Sequence, residues 1–222
     1  MIKFIKNPDP AEAATYLADS INTHLSSGEK VLWFLSGGSS IKVAVETQKM
    51  LDQTKLGNLT ITLGDERYGP PGHKDSNWQQ LVQAGFLMNG LRTLPILTGK
   101  EILQAKADFE ANLVKEFSGS PYVVGLFGVG ADGHTAGILP GSPAVESQQL
   151  VAAFQGPDFQ RITITGRAVQ LINLAVAYAT GEAKGPALLK LEQALSIREQ
   201  PAQALKLAKQ TVVFNDQVGA QL

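Results

Sequence analysis

Apolar residues along the chain fall into two alternating patterns, short continuous runs and longer stretches with helical spacing. Residues 30–35 (KVLWFL), 59–63 and 122–127 are continuous runs of the kind buried on both faces of a sheet. Residues 2–5 and 211–214 form shorter runs, and 150–154, 161–165 and 175–180 read as further strands. Between these lie helical segments at 11–25, 41–51, 77–84, 101–117, 168–174, 182–195 and 201–209. The first of them has a start signal, with Asp9 as N-cap, Pro10 at the first helical position and Glu12 three residues after the cap. His24, near its end, is expected on the surface at a helix C-terminus. In 101–117, Ile102, Leu103, Phe109 and Leu113 are expected on one buried face. Strands alternating with helices at this spacing predict an α/β fold, a mostly parallel sheet with helices on both faces, as a single domain over residues 1–222.

Ligands in such sheets bind at the carboxyl ends of the strands, and three turns placed there carry chemistry. Residues 128–140 (GVGADGHTAGILP) follow a buried strand, and Asp132 lies two residues from His134, close enough for a carboxylate to orient an imidazole acting as general base. Residues 36–40 (SGGSS) would present Gly37, Gly38, Ser39 and Ser40 at a helix N-terminus, where free backbone N–H groups and the dipole favour a phosphate. The turn is neither a Walker motif nor a dinucleotide fingerprint. After the strand at 59–63, Asp65, Glu66, Arg67 and His73 fall in one long polar loop, where Arg67 could reach an anion or a polarised carbonyl. Arg161 opens a strand and Lys184 sits in the first turn of a helix, a position that opposes the dipole unless an anion is bound nearby.

Composition narrows the possibilities. Nineteen Lys and Arg against twenty Asp and Glu leave a net charge of −1, so no overall field draws the chain to nucleic acid or an anionic membrane. The absence of cysteine excludes disulfides, thiol catalysis and thiolate metal sites, and no His-x-x-x-His spacing offers a metal centre. No window approaches the ~20 apolar residues of a membrane span, and no signal peptide is read at the N-terminus. The expectation is a cytoplasmic protein, a monomer or weak homo-oligomer, that binds a small anionic molecule without metal or cofactor.

Taken in order, Ser-Gly-Gly-Ser-Ser (36–40), Gly-Asp-Glu-Arg (64–67) followed by Ser76-Asn77-Trp78, the run 128–136, Arg161-Ile-Thr-Ile-Thr and Thr-Gly-Glu-Ala-Lys (180–184) resemble the 6-phosphogluconolactonase family, over nearly the whole chain. The related glucosamine-6-phosphate deaminase/isomerases show Asp-Glu-Tyr where Arg67 stands here, and an Asn-Glu after their Asp-Gly-His that this chain lacks. There are departures from the lactonase pattern too: Ser40-Ile41 replaces Thr-Pro, Tyr68-Gly69 precedes Pro70, and Gly137 replaces a serine. The resemblance implies a Rossmann-like fold of the sugar-phosphate isomerase type and hydrolysis of a phosphosugar lactone. It implies His134 as general base with Asp132 behind it, and Arg67 on the oxyanion. Gly37, Gly38, Ser39, Ser40, Asp65, Arg161 and Lys184 would hold the substrate and its phosphate. A non-catalytic sugar-phosphate sensor is the alternative from another class, and it would normally come with a basic DNA-binding segment, which is not read here.

Overall fold

A computed structural model describes residues 2–220. Strand β1 (Ile2–Lys6) leads through Asp9, whose side chain accepts from Ala11 N at 2.9 Å, into helix α1 (Pro10–Ser26). Ala13, Ala14, Leu17, Ala18, Ile21 and Leu25 recur at helical spacing along α1 and are all buried. His24, near the end of α1, is half-buried, stacked on the Tyr122 ring with its Nδ1 2.5 Å from Glu29 Oε2. Strand β2 (Val31–Leu35), buried at every position, is followed by the 36–39 turn and α2 (Ser40–Met50). Next come β3 (Leu59–Leu63), β4 (Asp65–Arg67), α3 (Asn77–Gln83), β5 (Arg92–Leu94), α4 (Ile102–Gly119) and β6 (Tyr122–Phe127). The chain then forms β7 (Val151–Gln155), β8 (Gln160–Ile164), α5 (Gly166–Val169), β9 (Leu174–Ala179), α6 (Gly185–Glu192) and β10 (Gln210–Asn215).

Seven strands form one sheet in the order β1-β10-β9-β6-β2-β3-β5, every neighbouring pair parallel. The near-continuous apolar character of β2, β6 and β9 follows from burial on both faces, and α1 packs with α2 against this sheet. No helix among the described residues is long and apolar enough to cross a membrane.

A second, three-stranded sheet in the order β4-β8-β7 is antiparallel and was not expected from the sequence pattern. Gly64 joins the two sheets: its N–H donates to Leu35 O at 2.8 Å, extending the parallel ladder, while its C=O accepts from Ile164 N at 2.8 Å in β8. Local expectations also need correction. Leu103 is 72% exposed, because Ala105, Phe109 and Leu113 recur every four residues on the buried face of α4 and Leu103 lies about half a turn away. Residues 168–174 are not one helix, since α5 ends at Val169 and Leu174 already opens β9. The helix read at 182–195 is a 3-10 turn, Glu182–Lys184, followed by α6, and Pro201–Leu207 is 3-10 throughout.

Candidate active site

Strands β9, β6, β2 and β3 are consecutive in the parallel sheet, so the four segments leaving their carboxyl ends meet at one rim. Residues 36–39 leave β2, Gly64 passes from β3 into β4, residues 128–136 leave β6 and residues 180–184 leave β9. They enclose a cleft of about 280 Å³, into which β8 of the small sheet delivers Arg161.

In the loop after β6, Gly130 N donates to His134 O at 2.9 Å and Gly133 N to Gly130 O at 3.0 Å, which folds the chain back on itself. Asp132 Oδ1 accepts from the His134 backbone N–H at 3.1 Å and lies 2.6 Å from His134 Nδ1. A side chain on Gly130 would collide with the imidazole and with Asp132, so the glycine is required by close approach. With Nδ1–H donating to Asp132, the lone pair is on Nε2, the nitrogen left for a proton in transit. Burial alone would raise the Asp132 pKa, but the backbone hydrogen bond from His134, its charge and its ring hydrogen bond hold the carboxyl below its usual range.

The backbone N–H groups of Gly37, Gly38 and Ser39 make no hydrogen bond among the described residues and stand at the start of the eleven-residue helix α2. Lys184 Nζ lies 3.3 Å from Ser39 Oγ. Burial depresses the Lys184 pKa, offset in part by the charge of Asp216, whose carboxylate accepts the Gly181 N–H at 2.9 Å and fixes the approach to Lys184. Arg67 and Arg161 are direct cross-strand partners, an arrangement that repulsion disfavours in the absence of an anion. Both guanidinium groups flank the Phe159 ring, at 5.5 and 6.0 Å from its centroid. Arg67 also donates to Asp75 O at 3.0 Å, Arg161 lies 3.6 Å from Asp65 Oδ2, and the Nε of each arginine is buried without a partner. Burial lifts the Asp65 pKa to about 6 despite the nearby Arg161 charge.

The structure thus brings Gly37, Gly38, Ser39, Asp65, Arg67, His134, Arg161 and Lys184 to one cleft. Asp132 lies behind His134 and lines a neighbouring cavity of about 740 Å³ that shares His134 and Arg161 and has Leu139, Pro140, Phe154 and Pro157 among its walls. Ser40 does not line the cleft: as the first residue of α2 it is wholly buried, and its Oγ has no hydrogen-bond partner. The sequence pattern marks no role for Asn77, which lines the cleft, or for Phe159. Glu66 is not set apart by sequence from the other ionisable groups of its loop. The asparagine belongs to the Ser-Asn-Trp motif, but nothing local to Phe159 announces that two arginines will frame it.

The chain resembles known proteins in both sequence and fold. The family described as glucosamine-6-phosphate isomerases/6-phosphogluconolactonase matches residues 10–214. The chain is 28% identical to the 6-phosphogluconolactonase of Rhizobium meliloti (strain 1021), over 89% of this chain and 90% of that protein. It is 26% identical to the 6-phosphogluconolactonase of a Nostoc species, over 82% of this chain and 79% of that one. The crystal structure of a 6-phosphogluconolactonase from Shewanella baltica OS155 superposes with a TM-score of 0.80 at 25% identity, covering 97% of each chain. The matched span runs from the start of α1 into β10 and includes every residue lining the cleft, so the chain belongs to the glucosamine-6-phosphate isomerase/6-phosphogluconolactonase family.

Proposed function

We propose that the chain hydrolyses 6-phospho-D-glucono-1,5-lactone to 6-phosphogluconate in the oxidative pentose phosphate pathway, by general-base activation of water. The observation that carries this reading is the Asp132–His134 pair, 2.6 Å apart, beside a cleft that also presents the unpaired N–H groups of Gly37, Gly38 and Ser39 and three cationic side chains. The relatives named above are lactonases by name, and Arg67 in the Asp-Glu-Arg motif favours that half of the family.

In the proposed reaction the substrate phosphate binds the N–H groups of Gly37, Gly38 and Ser39 with Arg161 and Lys184, so that remote binding energy positions the lactone carbonyl near His134. His134 Nε2 takes a proton from water as the oxygen attacks the carbonyl carbon, and Asp132 stabilises the imidazolium. Arg67 and a backbone N–H of the glycine turns stabilise the tetrahedral oxyanion. Collapse breaks the bond from the carbonyl carbon to the ring oxygen, which takes the proton back from His134 and becomes a hydroxyl, leaving the acid.

The test is the rate of lactone loss with wild type and with His134→Ala, against the buffer background. Wild type is expected to exceed background and the variant to fall by ~10²–10⁴ with its circular dichroism unchanged. A wild type no faster than buffer, yet binding 6-phosphogluconate, would reject the lactonase and bring the sensor reading forward.

A further inference from the structure

We infer that Gln200 is a positioning residue, tying the loop that carries Asp132 and His134 to helix α6, at whose start Lys184 stands; this rests on the roles proposed for His134 and Lys184. Gln200 belongs to the segment entering the last 3-10 turn, distant in sequence from both groups, and is 2% exposed. Its Nε2 donates to Ala187 O of α6 at 2.6 Å. Its Oε1 accepts from Gln203 Nε2 at 2.9 Å, and that same nitrogen lies 3.0 Å from Lys190 O, also of α6. The amide orientation is therefore fixed at both ends by groups that are themselves held.

The other side of Gln200 meets the loop. Gly133 has φ +82°, and a Cβ there would lie 2.8 Å from Gln200 Cγ, so the glycine's bare face is seated on the glutamine stem. One residue past Pro201, Ala202 N donates to Gly133 O at 2.8 Å. Gly133 stands between Asp132 and His134, so any shift there moves both members of the pair. A small pocket of about 60 Å³, open to solvent, lies between loop and helix, with Asp132, Gly133, Ala187 and Gln200 among its walls. A buried polar side chain, hydrogen-bonded at both ends and packed on Gly133, sets a separation between two elements that apolar packing alone does not set.

The test replaces Gln200 with leucine, which keeps the bulk against Gly133 but removes the amide's hydrogen bonds to Ala187 O and from Gln203 Nε2, leaving Gln203 Nε2 with Lys190 O alone. The chain has three histidines, so the ring-proton resonances of His24, His73 and His134 can be followed individually by NMR. His24 is held by Glu29 and Tyr122, and His73 by Arg67 O, so both serve as internal references. The expected result is that His134 resonances move while the other two stay, with kcat down about 10- to 100-fold. Unchanged His134 resonances with unchanged kcat, whatever the thermal midpoint, would show mere packing and overturn the inference. If all three histidines move, Gln200→Glu decides, since it keeps the stem on Gly133 and the acceptor for Gln203 but removes the donor to Ala187 O. That variant is expected to raise KM severalfold with His134 resonances in place, and an unchanged KM would overturn the tie to α6. Because the resonances are read without turnover, failure of the lactonase reading and failure of this inference are distinguishable.

Discussion

Asp65 is 5% exposed, and its ion-pair partner Arg161 stands at 3.6 Å, too far to offset its desolvation. Its pKa of about 6 against an ordinary 3.8 means that the folded chain holds a proton there which the unfolded chain has released between those pH values. The folded state therefore binds more protons, and the stability owed to this group is present below about pH 4 and lost as pH rises through about 6. The difference between the two values corresponds to on the order of 3 kcal/mol. Asp65→Asn removes the titration, so the variant is expected to gain stability relative to wild type as pH goes from 4 to 7. Urea midpoints of both proteins across that range measure it, and a pH-independent difference between them would refute the assignment. The Asp132–His134 pair illustrates what a sequence can reveal at this scale: two residues in one turn are neighbours whatever the fold does. Glu66 and Gln200 illustrate the opposite. Both are polar residues in polar stretches, and nothing local says that they are 1% and 2% exposed.

Strand β4 is only three residues long, and its alternation sorts the Asp-Glu-Arg motif into two jobs. Asp65 and Arg67 line the cleft, while Glu66 points away from it. The Glu66 carboxylate accepts from Arg67 N at 2.9 Å, Ser76 Oγ at 2.8 Å, Asn77 N at 2.7 Å and Trp78 N at 3.1 Å, stapling β4 to the first turn of α3. Glu66→Gln keeps the shape but turns an amide donor toward these donors. With each charged hydrogen bond worth about 1.5–3 kcal/mol, a net loss of about 3 kcal/mol is expected. Thermal unfolding should come about 6–12 °C earlier. The kcat should fall as well, because the segment whose Asp75 O holds the Arg67 guanidinium loses its anchor at Ser76 and Asn77, and an unaltered melting temperature would dismiss the staple. The major elements β2 and β6 were legible because continuous apolar runs ending in glycine turns are a local signal. The β4-β8-β7 sheet was not legible, since Asp65–Arg67 reads as a charged loop and its partner Arg161–Thr163 lies more than ninety residues away. Pairing at that distance is a tertiary fact that places Arg161 in the cleft.

At the scale of the whole molecule, the cleft gathers Arg67, Arg161 and Lys184 where two sheets meet, and their unequal surroundings give the three cations different costs. Anion binding to the folded state alone stabilises it by about 2.7 kcal/mol at a ligand concentration one hundred times Kd. For a chain of this size that is roughly 5–11 °C in melting temperature with 6-phosphogluconate. Lys184 and Arg161 should both be needed for that shift, yet their removal should act oppositely on the ligand-free fold. Lys184 is half-buried at a helix N-terminus, and its depressed pKa means that the fold disfavours its charge, so Lys184→Met should leave the free protein as stable as wild type or more so. Arg161 is the largest favourable charge on the buried Asp65, so Arg161→Met should lower the free protein's melting temperature at pH 8 and spare it near pH 5, where Asp65 is protonated. Thermal scans of the two variants with and without 6-phosphogluconate at both pH values separate these effects. Equal destabilisation of the free proteins would mean that the cleft charges are balanced by surroundings other than those described, and that the anion site is not built at the expense of the ligand-free fold.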